Sequence, residues 1–170
     1  NQLKTQAYFK EKDGNEVYLM AIPGYRVYTS GIFEIGERGF RSKYVFDFNW
    51  RNFRSLKATF PEKPDENFVV AMGKQFFTIQ EMASVDTAKL NSFLDRVSTL
   101  QVDEYGKDTT SVTGKPVMVI TIDDVASRKY ELTIFKPYNG RVRGLVNGEV
   151  AYFYNRKIQP LLKPRSFFVK

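Results

Sequence analysis

Three pairs of adjacent acids, Asp65-Glu66, Asp103-Glu104 and Asp123-Asp124, are by residue type the best candidates in this chain for proton transfer or cation binding. Their placement argues against both. Neighbours in a strand point to opposite faces, so Asp123 and Asp124, at the end of an extended stretch, cannot converge on one atom. The other two pairs fall in polar stretches, and none has the spacing of a calcium-binding loop. Turn chemistry and solvation account for all three. The chain contains neither Cys nor His. That removes Cys–His and Ser–His nucleophilic pairs, Cys/His zinc sites and imidazole switching. No catalytic, cofactor-binding or metal-ligating residue is assigned, and the expectation is a protein without enzymatic activity or cofactor.

The basic residues are the second source of chemistry. Formal net charge is +7, which favours weak attraction to anionic partners. Arg38, Arg41, Lys43, Arg51, Arg54 and Lys57 form one basic stretch. Lys136, Arg141, Arg143, Arg156, Lys157, Lys163, Arg165 and Lys170 form another. Gly36-x-x-Gly39 with Arg38 and Arg41 could offer backbone donors and guanidinium forks to an anion, although no Walker or dinucleotide fingerprint surrounds it. Arg38-Gly39-Phe40 followed by Tyr44–Phe48 is similar to the strand on which RRM domains stack bases. There the spacing fails, and the second helix is missing. Arg38, Arg41, Lys43, Arg51 and Arg54 are accordingly the expected contacts for an anion or a partner. Tyr18, Tyr25, Tyr28, Tyr152 and Tyr154 mark strands that meet solvent on one side, positions that also suit interfaces and strand addition by a peptide.

Short aromatic runs between turn signals must position these groups, and 15 Phe and 10 Tyr favour strands. Leu3–Lys10 and Glu16–Ile22 read as strands around an Asp13-Gly14 type I′ turn. Tyr25–Thr29 and Ile32–Ile35 read as two more. Tyr44–Trp50 alternates in part as if extended. Phe53–Phe60, Phe68–Met72 and Gln75–Ile79 read as a meander, with a loop over Pro61–Glu66 and a tight turn at Gly73-Lys74. Val85–Gln101 is the one long amphipathic helix. Asp86 suits its N-cap, Val85 and Leu90 suit a hydrophobic staple, and Leu90, Phe93, Leu94, Val97 and Leu100 share one face. After a long polar loop, Val102–Lys115, the stretch Pro116–Asp123 is apolar on both faces and reads as a central strand. Lys129–Phe135, Arg141–Val146 and Glu149–Tyr154 continue the meander, with strong hairpin turns at Asn139-Gly140 and Asn147-Gly148. Lys157–Lys163 suits one helical turn before Pro164.

Strands, then a helix, then strands indicate an α+β fold: antiparallel β-meanders packed on one main amphipathic helix. A chain of 170 residues suits a single domain spanning 1–170. Shifting the chain by about 124 positions sets Pro23-Gly24 on Asn147-Gly148, Tyr28 on Tyr152 and Arg41-Ser42 on Arg165-Ser166. A partial internal repeat would make 1–52 an incomplete unit and 53–170 a complete one.

The segment FRSKYVFDFNW, then SLKATF, NFVVAM, QFFTIQ and DTAKLNSFLDRVSTLQ, resembles a family of bacterial envelope domains of unknown function. Phe40, Arg41 and Lys43 match its Phe-Arg-x-Lys segment. Gln75-Phe76-Phe77 departs from the aromatic expected at the start of its third strand. The resemblance implies a membrane-anchored accessory protein encoded beside gliding-motility-type ABC transporter components. It implies a periplasm-facing location, a tether preceding Asn1, and another envelope protein or transporter component as partner. It supplies no catalytic residue. The alternative expectation is nucleic-acid or anionic-surface binding through the basic, aromatic-rich face. No apolar run in the chain approaches the roughly 20 residues of a membrane span.

Overall fold

The computed structural model describes residues 6–23, 41–106 and 114–170. The chain forms two compact units, Asn1–Arg41 and Ser42–Lys170. The expected strands Tyr25–Thr29 and Ile32–Ile35 lie outside the described residues, as does Arg38.

In the first unit, β1 (Ala7–Lys10) and β2 (Val17–Met20) pair antiparallel. Lys10 is opposite Val17, which leaves a six-residue connection instead of the expected two-residue turn at Asp13-Gly14. The Gly14 N–H donates to the Glu11 carbonyl at 3.2 Å, closing a local turn within that loop. A shift of about 124 residues lays β1 and β2 on two later strands, Lys129–Ile134 and Arg141–Val146, which are also joined by six residues. The registers differ. Tyr8 faces Leu19, whereas its counterpart Leu132 faces Val146, the counterpart of Ile22.

The second unit is built on one antiparallel sheet of eight strands, ordered β5-β4-β3-β7-β8-β9-β10-β6. The strands are β3 (Phe53–Thr59), β4 (Phe68–Met72), β5 (Phe77–Ile79), β6 (Glu104–Tyr105), β7 (Met118–Asp124), β8 (Lys129–Ile134), β9 (Arg141–Val146) and β10 (Glu149–Tyr154). Sheet dominates the described residues, and a single long helix, α1 (Thr87–Ser98), accompanies it. Two meanders, β3-β4-β5 and β7-β8-β9-β10, meet where β3 pairs with β7, so the strand expected to be central is central. Asn147-Gly148 closes the β9–β10 hairpin with φ of 50° and 86°. Asn139-Gly140 closes the turn before β9 with 48° and 74°. Both are the left-handed pairs that two-residue hairpins require.

The register sorts side chains cleanly. Leu56, Val70, Met118, Ile120, Ile122, Leu132, Ile134 and Val142 are wholly buried on the inner face. Helix α1 adds Leu90, Phe93, Leu94 and Val97 to the same core, and Leu100 follows just beyond its end. The Asp86 carboxylate accepts from the Lys89 N–H at 3.0 Å, which is the expected N-cap. That bond holds the Asp86 pKa below the ordinary carboxylate value, against a smaller upward push from burial.

Two further segments complete this layer, the first against the sequence expectation and the second with the helical turn expected before Pro164. Residues 44–50 form no strand. The Val45 N–H donates to the Leu100 carbonyl at 3.0 Å and the Val102 N–H to the Lys43 carbonyl at 2.8 Å. Consecutive Val45 and Phe46 are therefore both buried, which alternation along a strand would forbid. Phe48, Trp50, Phe53 and Phe77 then run as successive ring contacts of 4.8–5.4 Å, with Tyr130 beside Phe48. At the other extremity, α2 (Asn155–Ile158) leads into two 3-10 turns, Gln159–Leu161 and Arg165–Phe168. Ile158, Leu161 and Phe168 are wholly buried, and the Phe168 ring makes edge contacts with Phe68 and Phe93. The Glu66 carboxylate accepts from both the N–H and the hydroxyl of Ser166, and Arg165 donates to the Glu81 carbonyl. Those Ser166 bonds lower the Glu66 pKa.

A uniform outer face and a basic cleft

Directly paired residues share a face, so the register also lays out the outer surface of the sheet. One cross-strand row reads Thr59, Val119, Thr133, Leu145 and Val150. The next reads Val69, Lys57, Thr121 and Glu131. None of these nine is buried within the protein. The sheet's edges are closed by contrast. Strand β5 has three residues, and β10 is covered where Asp103 and Gly106 donate to the Tyr152 and Val150 carbonyls and Asp103 accepts from the Tyr154 N–H. That leaves little room for strand addition at either side of the sheet.

The adjacent acids Asp123 and Asp124 sit on opposite faces, as strand geometry requires. Asp124 is buried and organises the β7–β8 turn. It accepts from the Ala126 and Arg128 N–H groups at 2.9 Å and from Arg128 Nε at 2.7 Å. Burial pushes this carboxyl up, but the hydrogen bonds and the guanidinium charge outweigh it and hold the pKa below its usual value. Its lone pairs are committed to the turn. Asp123 lines an open cleft of about 360 Å³ with Arg54, Ser55, Ser127 and Lys129. No group of three acids that could hold a metal ion occurs among the described residues.

The basic residues singled out in sequence are not all neighbours. Arg41 falls in the first unit and is exposed. Arg51 and Arg54 stand near the β7–β8 turn, where the Val125 N–H reaches the Asn52 carbonyl. Lys43 stands beside the 100–102 segment, where Tyr44 faces Gln101. Strand β8 starts opposite Asp123 and ends opposite Gly144, and Arg141 and Tyr154 lie further along β9 and β10. Arg54 and the Tyr154 end of the sheet are thus at opposite ends of the strands.

At that second end the fold assembles a cleft that the sequence reading did not select. Arg96, Thr99, Leu100, Gln101, Arg156 and Lys157 line an open volume of about 510 Å³. Arg96 is in the last turn of α1, the place where a cation complements the helix dipole. Lys157 Nζ donates to the Gln101 carbonyl at 3.3 Å and to Asp103 Oδ1 at 2.6 Å. The Arg156 and Arg141 guanidiniums lie 5.4 and 5.3 Å from the Tyr154 ring centre, and Arg141 also pairs with Glu104 at 3.2 Å. Arg156 and Lys157 belong to the second basic stretch, so half of the signal was in the sequence. Arg96, some 60 residues away, is brought in only by the fold. Chemically, the arrangement can hold an anion.

The chain matches no known family model, no curated protein and no solved structure. No helix among the described residues is long and apolar enough to cross a membrane.

Proposed function

We propose that this protein is a non-enzymatic binding module of the bacterial cell envelope, an accessory that docks a protein component of a larger transporter-type assembly through the outer face of its sheet. One observation carries the reading. The row Thr59, Val119, Thr133, Leu145 and Val150 crosses five strands without being buried, while Lys57, Glu131 and Arg143 stand around it with both signs of charge. A half-buried row of Thr, Val and Leu within a charged rim suits a partner surface, which pairs a less polar centre with a polar rim. The envelope setting rests on the sequence resemblance. Thr121→Glu and Thr133→Glu, which place carboxylates in the middle of this face, should abolish co-purification with a transporter component from native membranes and leave the melting temperature unchanged. Undiminished co-purification would reject the face as the docking site.

A second reading, nucleic-acid or anionic-surface binding, is favoured by Arg51 and Arg54 flanking the stacked Trp50–Phe53 pair. It requires affinity for single-stranded nucleic acid that falls steeply with salt and weakens in Arg51→Glu/Arg54→Glu.

A further inference from the structure

We infer that the cleft between the C-terminal end of α1 and α2 is a binding site for a phosphate group, held by Arg96 and Arg156 with Lys157 and Gln101 in support. The charge count sets the ligand. Three cations line the cleft and no acid does. The Asp103 carboxylate is committed to Lys157 and to the Tyr154 N–H, and neither the Arg96 nor the Arg156 guanidinium forms an ion pair among the described residues. A phosphate monoester carries close to two negative charges at neutral pH, and its oxygens suit the planar donor forks of arginine. A carboxylate would neutralise only one of them.

The local backbone is prepared for this. The C-terminal end of a helix ordinarily repels anions through its free carbonyls. Here the Asp95 carbonyl accepts from the Ser98 and Thr99 hydroxyls at 2.8 Å and from the Thr99 N–H at 3.1 Å. Lys157 covers the Gln101 carbonyl. Among the described residues Arg96 makes no ion pair or hydrogen bond, and the Arg156 guanidinium meets only the Tyr154 ring. That ring, itself braced by Arg141, orients Arg156 without consuming its donors. The Gln101 amide adds a neutral donor. A cleft of about 510 Å³ has room for a phosphate and the small group that carries it.

The site is separate from the outer sheet face, so it stands or falls independently of the docking proposal. The experiment titrates the whole chain with inorganic phosphate, by calorimetry and by melting temperature, against sodium chloride at matched ionic strength. Saturable binding is expected for the native protein. Arg96→Ala/Arg156→Ala should weaken it by at least about tenfold, the loss of one or two charge-assisted hydrogen bonds, with the ligand-free melting temperature unchanged because both side chains are exposed. Arg51→Ala/Arg54→Ala and Thr121→Glu should bind normally. Two further probes locate the phosphate: glycerol 3-phosphate for a soluble ester, and phosphatidylcholine vesicles with and without phosphatidic acid for a lipid. Binding of either that depends on Arg96 and Arg156 supports the site and names its source. A response matched by sodium chloride, one that survives Arg96→Ala/Arg156→Ala, or RNA binding that inorganic phosphate does not displace would each overturn it.

Discussion

The two faces of the eight-stranded sheet are made from the same strands and nearly the same residue types, yet only one of them is covered. Strand β7 shows it best. Met118, Ile120 and Ile122 are wholly buried, while Val119, Thr121 and Asp123, one residue out of step, are only half-buried. β-Branched side chains occur on both sides, so strand preference does not separate the faces. What separates them is cover. On the inner side, α1, the 44–50 segment and the C-terminal turns remove the apolar side chains from water. On the outer side, similar residues maintain the strands and stay half-buried or exposed. Stability should therefore respond to the inner face and association to the outer.

The largest test of that division is Phe168→Ala. Phe168 is wholly buried against the Phe68 and Phe93 rings, and deleting such a ring should cost ~3–5 kcal/mol in chemical denaturation. Leu94→Ala in the same layer should cost ~2–5 kcal/mol. Losses under ~1 kcal/mol would mean that the covering layer is not what holds the inner face. A smaller effect, of opposite cause, is expected at Gly144. An added Cβ there would lie 2.9 Å from the Thr133 carbonyl oxygen and 3.0 Å from the Phe153 ring. Gly144→Ala should destabilise by ~1–3 kcal/mol through overpacking, measured by the same denaturation curve.

The finest test uses the neighbours Asp123 and Asp124, one on each face. Asp124 has a folded-state pKa below its unfolded value. Its contribution is present at neutral pH and is lost as pH falls through the folded pKa. Glu66 and Asp86 are lowered too and act with the same sign. The melting temperature should decline on acidification below about pH 4, the unfolded carboxylate range. Asp124→Asn should lower the neutral-pH melting temperature and flatten that decline, whereas Asp123→Asn, which removes a side chain at the rim of an open cleft, should leave the neutral-pH melting temperature unchanged. Equal behaviour of the two variants would break the distinction between the faces.

The parts of this fold that local chemistry dictates were readable in advance. Asp86 as N-cap, the stripe Leu90, Phe93, Leu94 and Val97, and the two Asn-Gly hairpins need only a few neighbouring residues to specify them. The misjudged parts depend on distant chain. Asp13-Gly14 has the composition of a tight turn, but pairing of Lys10 with Val17 holds it in a longer loop. Tyr44–Trp50 looked extended because aromatics recur at every second residue. Its backbone bonds go instead to residues 100 and 102, and Val45 turns inward beside Phe46. The two-residue strand β6 carries no pattern at all and exists because β10 needs an edge partner. The basic cleft shows the same limit, since neither Arg96 nor Arg156 is unusual until register and chain reversal bring them to one end of the sheet.

The fastening of the last turns has a consequence for how the protein is made. Ser166 is tied to Glu66, 100 residues earlier, and Arg165 to Glu81, 84 residues earlier. The Phe168 carbonyl accepts the Asp86 N–H at the start of α1. During synthesis, α1 and both meanders emerge from the ribosome before the side chain that seals them. Until Phe168 is free of the exit tunnel, Phe68 and Phe93 lack the third ring of their cluster. A nascent chain with Phe168 still inside the tunnel would hold its apolar layer open to chaperones.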